Sequence, residues 1–241
     1  MTQPRDPTSA DEELLEAESL TIASELDDAG RVERVDEELR TGFEALAHIG
    51  KAVSIFGSAR TPGGAPEYRQ ARDMARRLGE DGFAIITGGG PGIMQAANEG
   101  AQEAGVASIG LGIDLPREQE LNASVDLPLQ FHYFFTRKVM FVRYASAFVV
   151  FPGGFGTLDE LFEAATLRQT EKIRHFPIIL FGSSFWAGLV DWLRDPVMAK
   201  GNISAQDVER LELTDDPARV LDLVREVEHR RPRGRGDHAG S

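Results

Sequence analysis

Short apolar runs alternate along this chain with longer amphipathic stretches. Ala52-Val53-Ser54-Ile55-Phe56, Phe83-Ala84-Ile85-Ile86, Ala107 to Gly112, Ala147-Phe148-Val149-Val150-Phe151 and Pro177-Ile178-Ile179-Leu180-Phe181 lack polar alternation. That pattern predicts strands buried on both faces of a parallel sheet, with Pro177 at a first strand position where it is tolerated. Apolar spacing of three and four predicts helices over 68–78, 91–104, 134–144, 157–171, 185–199 and 217–228. Pro91 falls in a first helical turn, where a missing N–H costs nothing. An earlier helix follows from Val32, Val35, Leu39, Phe43 and Leu46, whose apolar stripe should pack on the domain, with Gly50 as its stop. Repeated strand–helix alternation implies right-handed crossovers. The expected fold is three-layered α/β, a mostly parallel sheet covered by helices on both faces.

Composition narrows the function. The 241 residues suffice for one domain, placed at 31–229. Residues 1–30 are acidic and poor in aromatics and are expected to be disordered, as is the basic tail 230–241 with Arg230-Arg231-Pro232-Arg233. That tail is either a solvated loose end, the reading preferred, or a contact for nucleic acid or an acidic partner. There is no cysteine and the five histidines are scattered, so no metal site is expected. No apolar run is long enough for a membrane span and the acidic start is no signal peptide, so a cytoplasmic protein without membrane partners is expected. A net charge of -13 argues against nucleic-acid binding but leaves room for one small phosphorylated ligand.

Three glycine-bearing turns follow three of the predicted strands: Gly57-Ser58-Ala59-Arg60, Thr87-Gly88-Gly89-Gly90-Pro91-Gly92 and Pro152-Gly153-Gly154-Phe155-Gly156-Thr157. Neither later turn fits G-x-G-x-x-G, since Ile93 and Asp159 stand where the third glycine belongs, and no P-loop motif occurs. Parallel strands bring such turns to one sheet edge, where open α/β sheets bind ligands. A mononucleotide-like ligand is the reading they support. The glycines at 153, 154 and 156 are expected to allow close backbone approach and positive φ. The following helix can hold an anion on free N–H groups, helped by the Thr157 hydroxyl. Glu160 then has two readings, a carboxylate serving the site or a dipole cap. Arg137-Lys138 are oddly placed at a helix start, which favours acids. They are either solvated surface cations or, among Phe131, Tyr133, Phe134, Phe135 and Phe141, part of a partly dry site or subunit interface.

The stretch from Pro152 to Glu160 matches P-G-G-x-G-T-x-x-E, with Arg137-Lys138 upstream at the expected separation. Together with Gly57-Ser58, Gly88 to Met94 and Pro116-Arg117-Glu118, it resembles the LOG (Lonely Guy) family of nucleoside-5′-monophosphate phosphoribohydrolases, also called lysine decarboxylase-like. The resemblance spans roughly Lys51 to Phe185. It implies a Rossmann-like fold, dimers or larger assemblies of dimers, and cleavage of AMP or cytokinin nucleotides to free base and ribose 5-phosphate. It further implies that Arg137 and Glu160 are the catalytic pair. Substrate contacts would come from Gly57, Ser58, Gly89, Gly90, Met94, Glu118, Lys138, Gly153, Gly154, Gly156, Thr157 and Thr166. Gln95 stands where many longer members have Glu, and no acid role is assigned there. The chemistry suits these residue types, because the transition state is cationic at the sugar while negative charge moves onto the base. It calls for no metal or organic cofactor. The alternative is a non-catalytic nucleotide- or cofactor-binding carrier on the same fold.

Overall fold

The computed structural model describes residues 9–16, 27–114, 120–173 and 175–230. In chain order these form α1 (Ala10–Glu16), α2 (Asp28–Leu46), β1 (Ala52–Phe56), α3 (Pro66–Glu80), β2 (Ala84–Thr87), α4 (Ile93–Ala104), β3 (Ser108–Ile113) and β4 (Leu127–Phe131). They continue with α5 (Phe134–Tyr144), β5 (Ala147–Val150), α6 (Phe155–Gln169), β6 (Ile178–Phe181), α7 (Ser183–Trp192), α8 (Ala205–Glu209), β7 (Leu211–Thr214) and α9 (Pro217–Arg230). The seven strands form one parallel sheet in the order β4-β3-β2-β1-β5-β6-β7.

Strand side chains point alternately to the two faces, and each face has its own core. Phe56, Ile86, Leu111, Phe148 and Val150 pack with residues of α2, α5, α6 and α7. Val53, Ile55, Ile85, Val149 and Ile179 pack with α3, α4 and α9. Double-sided burial is why the inner strands read as unbroken apolar runs.

The two outermost strands differ from the sequence expectation, which held only five. β4 reads Leu127-Pro128-Leu129-Gln130-Phe131 and alternates buried with exposed positions, while β7 is only partly buried throughout. Each has a neighbour on one side alone, so Pro128 and solvent-facing polar residues are tolerated. The predicted helix 185–199 is α7 followed by a π-helical turn, Leu193–Val197, that contains Pro196. Proline cannot donate to the α-helical ladder, and the wider turn absorbs the missing bond.

The N-terminal region departs in two ways. Within the stretch expected to be disordered, Ala10–Glu16 is helical, with the Ser9 hydroxyl accepting from the Glu12 N–H at 3.2 Å and Ala10 buried. α2 begins at Asp28, capped by Asp27, and its inward face overlaps the expected apolar stripe only in part, with Leu46 buried and Leu39 packed on the core. Arg31, Glu38, Gly42 and Leu46 are buried, whereas Val32 and Phe43 are exposed. The helix is rotated by about one position because it meets α5 through a carboxylate and a glycine. A Cβ on Gly42 would lie 2.7 Å from the Met140 terminal methyl. The tail 231–241 lies outside the described residues, among which no helix is long and apolar enough to cross a membrane.

Candidate active site

Strand order reverses between β1 and β5, so the chain leaves these neighbours in opposite directions and a crevice opens beyond their carboxyl ends. The turns there are stitched together. The Phe151 N–H donates to the Phe56 carbonyl at 2.8 Å, and the Ser58 N–H donates to the Pro152 carbonyl at 3.0 Å. The turn after β2 docks on the same loop, the Ile93 N–H reaching the Ser58 carbonyl at 3.1 Å. Gly92 makes this approach possible: its φ is 68°, and a Cβ would sit 2.3 Å from the Ser58 oxygen.

The crevice is a cleft of about 640 Å³ lined by Gly57, Ser58, Arg60, Gly88, Met94, Phe134, Arg137, Gly154, Gly156, Thr157, Asp159 and Glu160, among others. That is the size of a small-molecule site. α6 enters it N-terminus first. Its N-cap is Gly154, which has no side chain to accept from the first turn, and the turn contains no acid. Orphan N–H groups therefore face the cleft at the positive end of the helix dipole. The expected positive φ values do not occur at 153, 154 or 156. Gly153 serves close packing instead, since a Cβ there would lie 2.1 Å from the Thr157 hydroxyl.

Glu160 lies beyond that first turn, 5% exposed, with an Oε2 that is buried and has no hydrogen-bond partner. Burial pushes its pKa up to about 7; Lys138 and Arg137 pull against that shift, and Glu163 and Asp159 add to it. These facts remove the dipole-cap reading, because a cap is exposed, in the first turn and bonded to backbone. Desolvating a carboxylate without a protein partner is costly and leaves it free for a ligand.

Arg137 reaches the cleft because α5 crosses the sheet from edge strand β4 back to β5. Its Nε donates to the Leu111 carbonyl on β3 at 2.8 Å, and its guanidinium lies 5.1 Å from the Phe141 ring centroid. Burial lowers its pKa, an effect opposed by the charges of Glu160 and Asp159. Among the described residues no ion pair joins Arg137 to Glu160; the two line the same cleft with both charges available to a ligand. A buried polar network holds the β2 turn beside them. Asn98 accepts from the Thr87 hydroxyl at 2.7 Å, and the Asn122 amide donates to the Gly89 and Gly90 carbonyls at 3.0 Å each.

The site residues named from the sequence divide accordingly. Gly57, Ser58, Met94, Arg137, Gly154, Gly156, Thr157 and Glu160 come together in the cleft. Gly89 and Gly90 are buried behind it, and Gly88 takes their place, since a Cβ on Gly88 would lie 2.5 Å from the nearer Arg137 terminal nitrogen. Gly153 supports Thr157 from outside the lining. Lys138 points away, paired with Asp159 at 2.9 Å and Glu163 at 2.5 Å. With Thr166 it lines a second groove, also bordered by Phe155, Leu158 and Phe162. Lys138 leaves α5 about 100° around the helix from Arg137, and its carboxylate partners on α6 hold it at this second groove. Glu118 lies outside the described residues. Arg60, Phe134 and Asp159 line the cleft without having been named; Arg60 and Asp159 were legible as charged members of the turns themselves.

Fold and site together define a Rossmann-like α/β protein with a small-molecule cleft at the sheet's switch point. A family model described as "Possible lysine decarboxylase" matches residues 94–224, more than half of the chain. The cytokinin riboside 5′-monophosphate phosphoribohydrolase LOG of Oryza sativa subsp. japonica is 31% identical over 174 residues, covering 69% of this chain and 69% of that protein. The cytokinin riboside 5′-monophosphate phosphoribohydrolase of Mycobacterium tuberculosis is 29% identical over 179 residues, covering 72% of this chain and 91% of the relative. The chain belongs to this lysine decarboxylase-like, or LOG, family. Among solved structures, the molybdenum cofactor carrier protein MCP from Chlamydomonas reinhardtii has a TM-score of 0.56 at 19% identity, over 75% of this chain and 99% of that one, a likeness of fold alone.

Proposed function

We propose that this protein hydrolyses the N-glycosidic bond of a purine nucleoside 5′-monophosphate, AMP or a cytokinin riboside monophosphate, to free base and ribose 5-phosphate. The observation that carries this reading is Glu160, a buried carboxyl with an unpartnered oxygen, in the same cleft as Arg137 and one uncapped helix N-terminus. The 5′-phosphate sits on the N–H groups and Thr157 hydroxyl at the start of α6. Glu160 is six residues from Gly154, about 9 Å along the axis, and helical side chains slant back toward the N-terminus. Phosphate binding therefore sets the sugar against the carboxyl, and that binding energy goes into positioning.

In the reaction the C1′–N bond breaks as C1′ becomes oxocarbenium-like, and water adds its oxygen to C1′. Ionised Glu160 stabilises the cationic sugar and orients that water. The base leaves with the bonding electron pair and gains a proton, while Arg137 offsets negative charge on the substrate. The role as written uses no metal. The resemblance to LOG enzymes extends this reading to a two-fold dimer built on the exposed apolar groups of α5 and α6, Phe134, Phe135, Val139 and Phe162, with Phe155 the most exposed at 93%. A non-catalytic carrier on the same fold uses the glycine turns but has no use for a costly buried carboxyl. Incubation with AMP and chromatography of the products should show adenine and ribose 5-phosphate in equal amounts. Absence of free base from both AMP and a cytokinin riboside monophosphate, or wild-type release by Glu160→Gln, overturns the reading.

A further inference from the structure

The start of α5 is unfavourable on its own terms. Its N-cap, Tyr133, makes no side-chain capping bond, and its first turn holds no acid. Arg137 and Lys138 instead place cations near the positive end of the dipole. Acids far away in sequence hold this end of the helix, one at the Phe134 N–H of the first turn and one at the preceding His132 N–H and the Thr136 hydroxyl. Glu38 on α2, buried in the interface, accepts from the His132 backbone N–H at 2.9 Å through Oε1 and from the Thr136 hydroxyl at 2.6 Å through Oε2. Its Oε1 also lies 2.8 Å from His132 Nδ1, and His132 Nε2 lies 3.1 Å from Asp114, just past the end of β3. Asp11 on α1 accepts from the Phe134 N–H at 3.3 Å. Farther along, the Tyr144 hydroxyl donates to the Phe43 carbonyl at 3.2 Å, so α2 tracks α5 along its length.

We infer that the N-terminal helices hold the start of α5 in place and that Glu38 is a positioning residue for Arg137. Thr136, which Glu38 holds, immediately precedes Arg137. Asp114, which His132 reaches, lies three residues beyond Leu111, whose carbonyl fixes the Arg137 Nε. The clamp thus ties together α2, the end of β3 and the first turn of α5, the elements that set the guanidinium in the cleft. α2 turns Glu38 inward while Val32 and Phe43 stay exposed, forgoing apolar burial for this contact. A buried carboxylate is tolerated when enough donors surround it, and here those donors belong to α5 and its entry. The family match begins at residue 94, so this support comes from a part of the chain outside it. The inference rests on the reading of Arg137 as part of the reacting site.

The test uses full-length Glu38→Gln, Asp11→Asn and Thr136→Val, with hydrogen exchange of the 132–138 amides measured beside adenine release from AMP. Glu38→Gln should speed exchange about tenfold, as loss of a cap would. It should lower kcat about tenfold with KM within about twofold, since a displacement of about 1 Å in a reacting group can cost up to 10²-fold. Asp11→Asn should act in the same direction and less. A lower melting temperature with wild-type kcat in all three variants makes the clamp structural only and overturns the inference, as does unchanged exchange. If Glu38→Gln fails to fold, the other two variants decide by the same readings. Absence of free base from both AMP and a cytokinin riboside monophosphate with the wild type refutes the proposed activity, and the exchange data alone then decide whether these acids hold α5.

Discussion

α5 and α6 meet the same cleft with N-termini treated in opposite ways. α6 opens on Gly154, with no capping side chain and no acid in its first turn. α5 also lacks a cap of its own, yet Asp11 takes its Phe134 N–H from outside, and Glu38 holds the preceding His132 N–H and the Thr136 hydroxyl. Both helices begin with N–H groups that the α-helical ladder does not satisfy. The fold leaves the α6 end without a capping side chain and holds the α5 end with acids from α1 and α2, on the helix that carries the half-buried Arg137. The contrast shows how one sheet edge provides both a binding pole and a fixed charge.

The largest effect expected from disturbing this contrast is on chemistry. Glu160→Gln should lower kcat by about 10²-fold or more while AMP still binds, because the charge is needed in the transition state. Single-turnover adenine release together with calorimetric AMP titration separates the two terms. The same variant should be more stable than wild type at high pH. Glu160 titrates near 7 when folded against an ordinary 4.5, so the folded state holds the extra proton between those values. Stability is therefore lost as pH rises through that window, and the full penalty is present above it. Replacing Glu160 should add roughly 3 kcal/mol at pH 8 and almost nothing near pH 4. Denaturant melts at the two pH values check the sign.

Smaller effects sharpen the comparison from the α6 side. Gly154→Asp gives α6 the cap that α5 receives from elsewhere, and no atom lies within 4 Å of the added Cβ. It should raise the melting temperature slightly, since a cap improves on glycine by only a few tenths of a kcal/mol. The added anion should raise KM for AMP by about tenfold, a cost of about 1.4 kcal/mol in binding. Thr157→Val should raise KM about threefold with little change in kcat, as expected when one phosphate contact is lost. Steady-state kinetics with AMP measure both.

The interior strands were legible because each lies between two neighbours and under two helical layers, and so is uniformly apolar. β4 and β7 were not, because an edge strand keeps a solvent face and permits residues such as Pro128 and Glu212. The stripe from Val32 to Leu46 placed α2 as a helix and put Leu39 and Leu46 on the core side, but not Val32 or Phe43, since Glu38 and Gly42 make the contact with α5. Periodicity assumes that apolar residues face inward, and here a buried carboxylate with distant donors prevails. Arg137-Lys138 was legible as a charged pair but not as a divided one. Only helical phase and the crossing of α5 send Arg137 into the cleft and Lys138 to Glu163.

By itself the sequence determined the alternating α/β plan, the three glycine turns, and Arg137-Lys138 and Glu160 as charges with more than one reading, Arg137 being paired with Glu160 only through the family resemblance. These are local properties, set by spacing and by the backbone freedom of particular residues. Tertiary structure alone decided that Glu160 is buried with an unpartnered oxygen, that Gly88 and not Gly89 or Gly90 borders Arg137, and that Glu38 holds the helix carrying it. Burial, pKa and the capping of one helix by another depend on which distant groups meet, and spacing along the chain carries no record of that.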